Sequence, residues 1–364
     1  MSAPSGKGTR LAGLIAARTA ARTCGSTAAF ATQPLRRVLL ALLVLLLAPM
    51  ALGGAPSGAL AFDLQGHRGA RGLAPENTLA AFERALSIGV TTLELDVGVT
   101  RDDVVVIAHD PLLNPDITRD RSGNWLSTKG PAIRALDFAD LQTYDVGRIR
   151  PDSRYAASHP DQVPVDGARI PALRELFERV TASGNRAVRF NIETKISPLA
   201  PSETLEPEPF AQRLVAEIRR HGMAARTTVQ SFDWRTLQVV QRIAPEIATV
   251  YLSAQQRNFD TVRASDPAGS PWTAGFQYSA LGSLPAMVKA AGGAVWSPYF
   301  GDIDATQVRA AQALGLRVIP WTVNEPDAMR RVIGWGVDGL ITDRPDRLRP
   351  ILQERGVALP PPTR

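Results

Sequence analysis

The stretch Leu93-Glu94-Leu95-Asp96-Val97 alternates apolar and acidic residues with a period of two. That is the period of a β-strand, so Leu93, Leu95 and Val97 share one face while Glu94 and Asp96 share the other. Two carboxylates on one face repel each other unless a cation or a base neutralises them. On a half-buried strand of an open sheet the acidic face would simply meet water. On a barrel strand the outer face, under the helices, is the apolar one, and the carboxylates point inward or up at the mouth.

Outward from this stretch, seven more runs have strand character: residues 63–67, 189–194, 228–232, 248–252, 294–297, 317–322 and 339–342. Helical patterns such as residues 79–88, 172–182 and 306–314 fall between them. Eight strand–helix units predict an α/β fold, a closed (β/α)8 TIM barrel forming a single domain over residues 62–350. Two interruptions break the rhythm, an extended loop region at 111–170 after the second strand, placed to cap the barrel mouth, and a second one at 254–283. Loops of this length are usually functional or carry small elements of their own. The proline-rich patch 198–209 reads as a surface loop, residues 351–364 as a C-terminal tail, and the prolines at 360–362 as disordered.

The formal charge of +6 would suggest an anionic partner if it were spread over the chain. It is not. Residues 1–61 hold no acidic residue and carry Lys7, Arg10, Arg18, Arg22, Arg36 and Arg37, which leaves the remainder with 35 acidic residues and as many basic ones. Arg36-Arg37, the apolar run 38–48 and the small residues around Ala59 and Ala61 have the layout of a cleaved secretory leader ending near residue 61. An apolar run that short falls well below the ~20 residues of a membrane span. The expected protein is exported, periplasmic or secreted if bacterial, with no stable membrane anchor after cleavage, no nucleic-acid partner and no protein partner implied. The only cysteine, Cys24, lies in the leader, so the mature chain lacks thiol catalysis and thiolate metal ligation. Gly66, Gly69 and Gly72 lack the spacing of a dinucleotide fingerprint, which disfavours a nucleotide cofactor.

Of four histidines, His67 and His109 sit in dense motifs, whereas His159 and His221 read as structural or surface residues. The third strand places Asn191, Glu193 and Lys195 on one face, again inward. Glu94, Asp96 and Glu193 would form a hard, all-oxygen site suited to one divalent cation, Ca²⁺ or Mg²⁺. A buried Glu193–Lys195 salt bridge is the structural alternative.

The ordered set His67-Arg68-Gly69, Pro75-Glu76-Asn77-Thr78, Ala81-Phe82, Glu94-Leu95-Asp96-Val97, Thr100, His109-Asp110, Asn191-Ile192-Glu193-x-Lys195, Gly336-Val337-Asp338-Gly339 and Thr342-Asp343 resembles the glycerophosphodiester phosphodiesterase family. The resemblance implies a TIM barrel that hydrolyses small glycerophosphodiesters to glycerol 3-phosphate and an alcohol, through attack by the substrate's own glycerol hydroxyl. It implies His67 and His109 as the acid–base pair, and Glu94, Asp96 and Glu193 as the metal ligands. Arg68 and Lys195 would contact the phosphate, as suits a planar fork and a point charge. Glu76 has a supporting role, fixing a loop where Asn77 or Thr78 caps a helix. Trp321, like Gln230 and Phe232, is placed to wall the pocket. The family usually has Asp-Gly in the turn before the second histidine, where this chain has Asp102-Asp103; aspartate tolerates a left-handed turn. A phospholipase D-like action on lysophospholipids or sphingolipids would need an apolar slot. An inactive phosphodiester-binding barrel would show a replaced histidine or carboxylate, and none is replaced.

Overall fold

The computed structural model describes residues 62–363, so the leader and Cys24 lie outside the described residues. Eight parallel strands form the barrel: β1 (Asp63–Gly66), β2 (Thr92–Val99), β3 (Arg189–Thr194), β4 (Thr227–Ser231), β5 (Ala248–Ser253), β6 (Val295–Pro298), β7 (Arg317–Val318) and β8 (Gly339–Thr342). Each is followed by an outer helix: α1 (Leu79–Ile88), α2 (Leu173–Ala182), α3 (Pro207–Arg220), α4 (Trp234–Ile243), α5 (Leu284–Ala290), α6 (Ala305–Ala313), α7 (Pro326–Gly334) and α8 (Pro345–Glu354). The strands pair in chain order, and β8 returns to β1 with Asp63 opposite Gly339 and Gly66 opposite Thr342. Between β7 and β8 the wall is closed by single backbone bonds, Asp338 N to Val318 O at 2.9 Å and Ile341 N to Pro320 O at 3.0 Å. This is the expected (β/α)8 barrel.

The expected alternation on β2 holds. Leu93, Leu95 and Val97 are fully buried in the layer between barrel and helices, together with Phe82 of α1 and Phe177 of α2. Inside the barrel, Val250, Val295, Ile319 and Ile341 form a small apolar floor. Another interior group is polar: Asn191 donates to Gln65 Oε1 (2.9 Å) and Gln230 Oε1 (2.8 Å), and Gln230 donates to Glu94 Oε1 (2.6 Å). Each buried amide thus has a partner, as a low-dielectric interior requires.

Several local expectations are refined. Strand β7 ends at Val318 rather than at 322, because Pro320 has no N–H to give a ladder. The chain stays extended, with Trp321 N bonded to Pro298 O at 3.1 Å. The patch 198–209 is not loop throughout: Pro207 opens α3, since a proline in the first turn lacks only an N–H that no helical carbonyl would accept. The end of the tail is tethered beyond the prolines, with Thr363 N bonded to Leu86 O at 2.9 Å and Asn185 Nδ2 to Thr363 Oγ1 at 2.7 Å, while Pro361 and Pro362 are exposed.

The two long interruptions carry their own elements. Region 111–170 holds the short helices Phe138–Leu141 and Arg154–Ser158, the first of them packed on a satellite core of Val106, Leu113, Ile133, Leu141, Val146 and Ile170. Region 254–283 holds a tight hairpin, Gln255–Gln256 with Phe259–Asp260, and the helical turn Tyr278–Leu281.

Candidate active site

Strand β1 delivers His67 at its C-terminal end, where the backbone turns sharply. A Cβ on Gly66 would lie 2.1 Å from Gly69 O, so only glycine permits the turn. Arg68 follows at φ +49°, and its N–H donates to Glu94 Oε2 at 2.8 Å. Thr78 caps α1 by accepting from Ala81 N at 3.2 Å, whereas Asn77 donates to Asp96 Oδ2 at 2.9 Å. The helix-start motif therefore does two jobs, one of them at the carboxylates.

In the register of β2 and β3, Asp96 lies opposite Glu193 and Glu94 opposite Asn191. Glu94, Asp96 and Glu193 are buried, and each offers an oxygen within 4.8 Å of the others. The Lys195–Glu193 pair is present as well, with Nζ 2.7 Å from Oε1 and 3.7 Å from Asp96 Oδ1. Cluster and ion pair coexist, so they are not alternatives. Arg68 Nη1 donates to Glu76 Oε1 at 2.6 Å, and its Nε lies 3.2 Å from Asp96 Oδ2. Burial works against the charged Arg68 and Lys195, but the carboxylates around them outweigh it and hold both protonated.

The carboxylates pay differently for burial. Burial, reinforced by Asp96, pushes Glu94 up, and burial and Asp96 together push Glu193 up to about 7 despite Lys195. Asp96 is also buried, yet Lys195, His109 and Arg68 outweigh that and hold it below the usual range. Among the described residues, Glu76, Glu94, Asp96 and Glu193 pair with two permanent cations, Arg68 and Lys195, so with all four ionised and His67 neutral they leave a double negative charge. A hard divalent cation fits that deficit and that donor set.

Each histidine is oriented through Nδ1 by a carboxylate. His67 Nδ1 lies 2.6 Å from Asp343 Oδ1 and His109 Nδ1 lies 2.8 Å from Asp110 Oδ1, which leaves both Nε2 atoms free for chemistry. His67 Nε2 is 3.9 Å from Glu94 Oε2. Burial and then Arg71 lower His67 to about 4, against the pull of Asp343. Burial, Arg68 and Lys195 lower His109 as well. The Asp103 turn that leads to His109 takes φ +63°, as expected of aspartate there.

A cavity of about 460 Å³ brings His67, Arg68, Glu94, His109, Glu193 and Lys195 to one space. Trp321, Phe232 and Gln230 line it too. So do Phe259 and Trp272 from region 254–283, which the sequence did not single out. Their rings are contiguous, Phe232 meeting Trp321 at 5.4 Å and Phe259 at 5.0 Å, edge to face.

The sequence reading also passed over two polar groups. Arg71 forks onto both oxygens of Asp343 at 2.8 Å, and Asn324 donates to the same carboxylate at 2.7 Å. Asp343 itself was legible as part of a motif but carried no assigned role. His159, expected to be structural or surface, is buried with Nε2 3.9 Å from Asp343 Oδ2. His221 meets Glu217 and Phe177 on the helix layer.

A (β/α)8 barrel whose mouth holds a carboxylate cluster, an arginine, a lysine and two carboxylate-held imidazoles can bind an anionic ester and move protons on it. The model of the glycerophosphoryl diester phosphodiesterase family matches residues 67–347, and the chain belongs to that family. A glycerophosphodiester phosphodiesterase of Caldanaerobacter subterraneus subsp. tengcongensis is 28% identical over 80% of this chain and 97% of its own. A solved structure from Silicibacter pomeroyi, assigned to the glycerophosphoryl diester phosphodiesterases, is 36% identical with a TM-score of 0.73, covering 82% of this chain and 95% of its own. An Oleispira antarctica phosphodiesterase, solved with the product sn-glycerol-3-phosphate, shares the fold at 22% identity and a TM-score of 0.59, over 80% and 97% of the two chains.

Proposed function

We propose that the protein is an exported, divalent-cation-dependent glycerophosphodiester phosphodiesterase that releases glycerol 3-phosphate. The observation that carries the reading is one cavity lined by both histidines and by Glu94 and Glu193, two of the three carboxylates of the buried cluster, with the third, Asp96, within 4.8 Å of them. A cation held by Glu94, Asp96 and Glu193 would neutralise phosphate charge and polarise the ester. Arg68 and Lys195 hold the non-bridging phosphate oxygens. His67, neutral at physiological pH because burial and Arg71 lower it, accepts the proton of the attacking hydroxyl at Nε2. His109, its side chain 30% exposed, exchanges protons with solvent; burial, Arg68 and Lys195 lower it while Asp96 and Asp110 oppose them, so it serves the departing alkoxide from its protonated form, the minority form at neutral pH. Export rests on the leader's charge and apolar run.

The test is glycerol 3-phosphate release from glycerophosphocholine, with and without chelator, beside His67→Ala and His109→Ala. Chelator-sensitive release, lost by about 10²-fold or more in each variant, is expected. Release that ignores both the chelator and the histidines would sink the reading. Fractionation of expressing cells, with the mass of the recovered N-terminus, tests export; a cytosolic, full-length product would refute it.

A second reading, action on lysophospholipid head groups, is favoured by the aromatic wall, whose Phe259 is 39% exposed. Faster hydrolysis of lysophosphatidylcholine than of glycerophosphocholine would select it.

A further inference from the structure

The short helix Arg154–Ser158 of region 111–170 reaches both halves of the site. Tyr155 donates its hydroxyl to Glu76 Oε2, the oxygen that remains after Glu76 Oε1 has taken Arg68 Nη1. The same hydroxyl accepts from Arg71 Nη1 at 3.3 Å, and Arg71 is the fork that grips Asp343 behind His67. One phenol therefore touches the carboxylate that steers Arg68 and the guanidinium that stands behind the histidine. The ring is held from two directions, by His159 at 4.7 Å and by Arg71 at 6.0 Å from its centroid. The following segment is tied to the β1–α1 loop, with Gln162 Nε2 donating to Arg71 O at 2.7 Å and Val163 N to Leu73 O at 3.0 Å.

We propose that Tyr155 is a positioning residue for phosphodiester binding, acting through Glu76 on Arg68. The inference rests on the phosphate-holding role proposed above for Arg68. Arg68 stands between Glu76 and Asp96, and whichever carboxylate holds it better decides where its fork points. Glu76 is 6% exposed, so without the phenol its Oε2 is left buried and unpaired. The carboxylate then turns toward another donor, its grip on Arg68 weakens, and Arg68 moves onto Asp96. That move removes a donor from the phosphate and a negative charge from the cation site together.

The full chain and its Tyr155→Phe variant are compared by calorimetric titration with glycerol 3-phosphate, by kcat and KM for glycerophosphocholine, and by melting temperature. The expected result is binding weakened and KM raised by about tenfold, the scale of losing a supporting hydrogen bond to a ligand-holding group, with kcat changed less and the melting temperature little moved. Glu76→Gln should weaken binding similarly, and adding Tyr155→Phe to it should have little further effect, since both break one link. Unchanged affinity and KM in Tyr155→Phe would overturn the inference, as would effects of the two substitutions that multiply independently. Should Tyr155→Phe fail to fold, Glu76→Gln alone decides: affinity equal to that of the parent chain overturns the link. If the parent hydrolyses no phosphodiester but its glycerol 3-phosphate binding still falls in Tyr155→Phe, the activity reading fails and the positioning role stands.

Discussion

Asp343 is 2% exposed and accepts from His67, Arg71 and Asn324 at once. Burial alone would raise its pKa, but Arg71 and His67 outweigh that and keep it ionised. Asp343→Asn keeps the shape but offers the imidazole an amide, so the Nδ1–H tautomer loses its acceptor. We expect kcat/KM to fall by about 10–100-fold with the folded state retained, as judged by steady-state kinetics beside a melting curve. An unchanged kcat/KM would remove Asp343 from the mechanism. Its partners lie 276 and 272 residues away in the chain, which is why the sequence exposed the residue as a motif letter without a task. Glu94 and Asp96 were legible for the opposite reason: a period of two needs only five residues to be seen. Tyr155 gave no signal, because its link to Glu76 spans 79 residues and a lone tyrosine in a polar loop has no pattern.

Among the elements, β3 and α2 meet through Phe190 and Phe177, rings 5.0 Å apart at 81° and both fully buried. Phe190 stands on the outward face of the strand that carries Glu193 on its inward face, so its packing sets how deeply that carboxylate sits. Phe190→Ala should cost about 3–5 kcal/mol of stability, measured by denaturant unfolding, through lost burial and the cavity left behind. A loss of well under 1 kcal/mol, by the same scale, would mean that the two layers close over the gap. Element existence was readable from hydrophobic period, since all eight strands and the helical stretches 79–88, 172–182 and 306–314 overlap observed elements. Ends were less so. The break at Pro320 and the helix start at Pro207 both turn on where a proline falls within its element, and the element around it is set by its neighbours rather than by local sequence.

For the molecule as a whole, the uncompensated charge at the mouth couples cation, proton and stability. Glu193, raised from 4.5 to about 7, binds its proton more tightly in the folded state, so its contribution is full below the unfolded value and is lost as pH rises through about 7. The histidine His67 acts in the opposite sense, but its slope ends near its ordinary value of 6.5. Chelated protein should therefore lose melting temperature between about pH 6.5 and 8, more than Glu193→Gln does, and Ca²⁺ or Mg²⁺ should cancel the fall. A flat profile shared by both proteins would show that the cluster carries no such strain. The same closure of the barrel has a temporal side. Strand β1 pairs with β2 on one edge and β8 on the other, and the carboxylate that orients His67 follows β8. A ribosome makes the histidine among the first residues of the barrel and its aspartate among the last, so the nascent chain carries an unfinished dyad through almost all of translation. Any truncation before residue 339 leaves the first strand with a bare edge and the histidine without its carboxylate, so premature termination should yield a product that is inert as well as unstable.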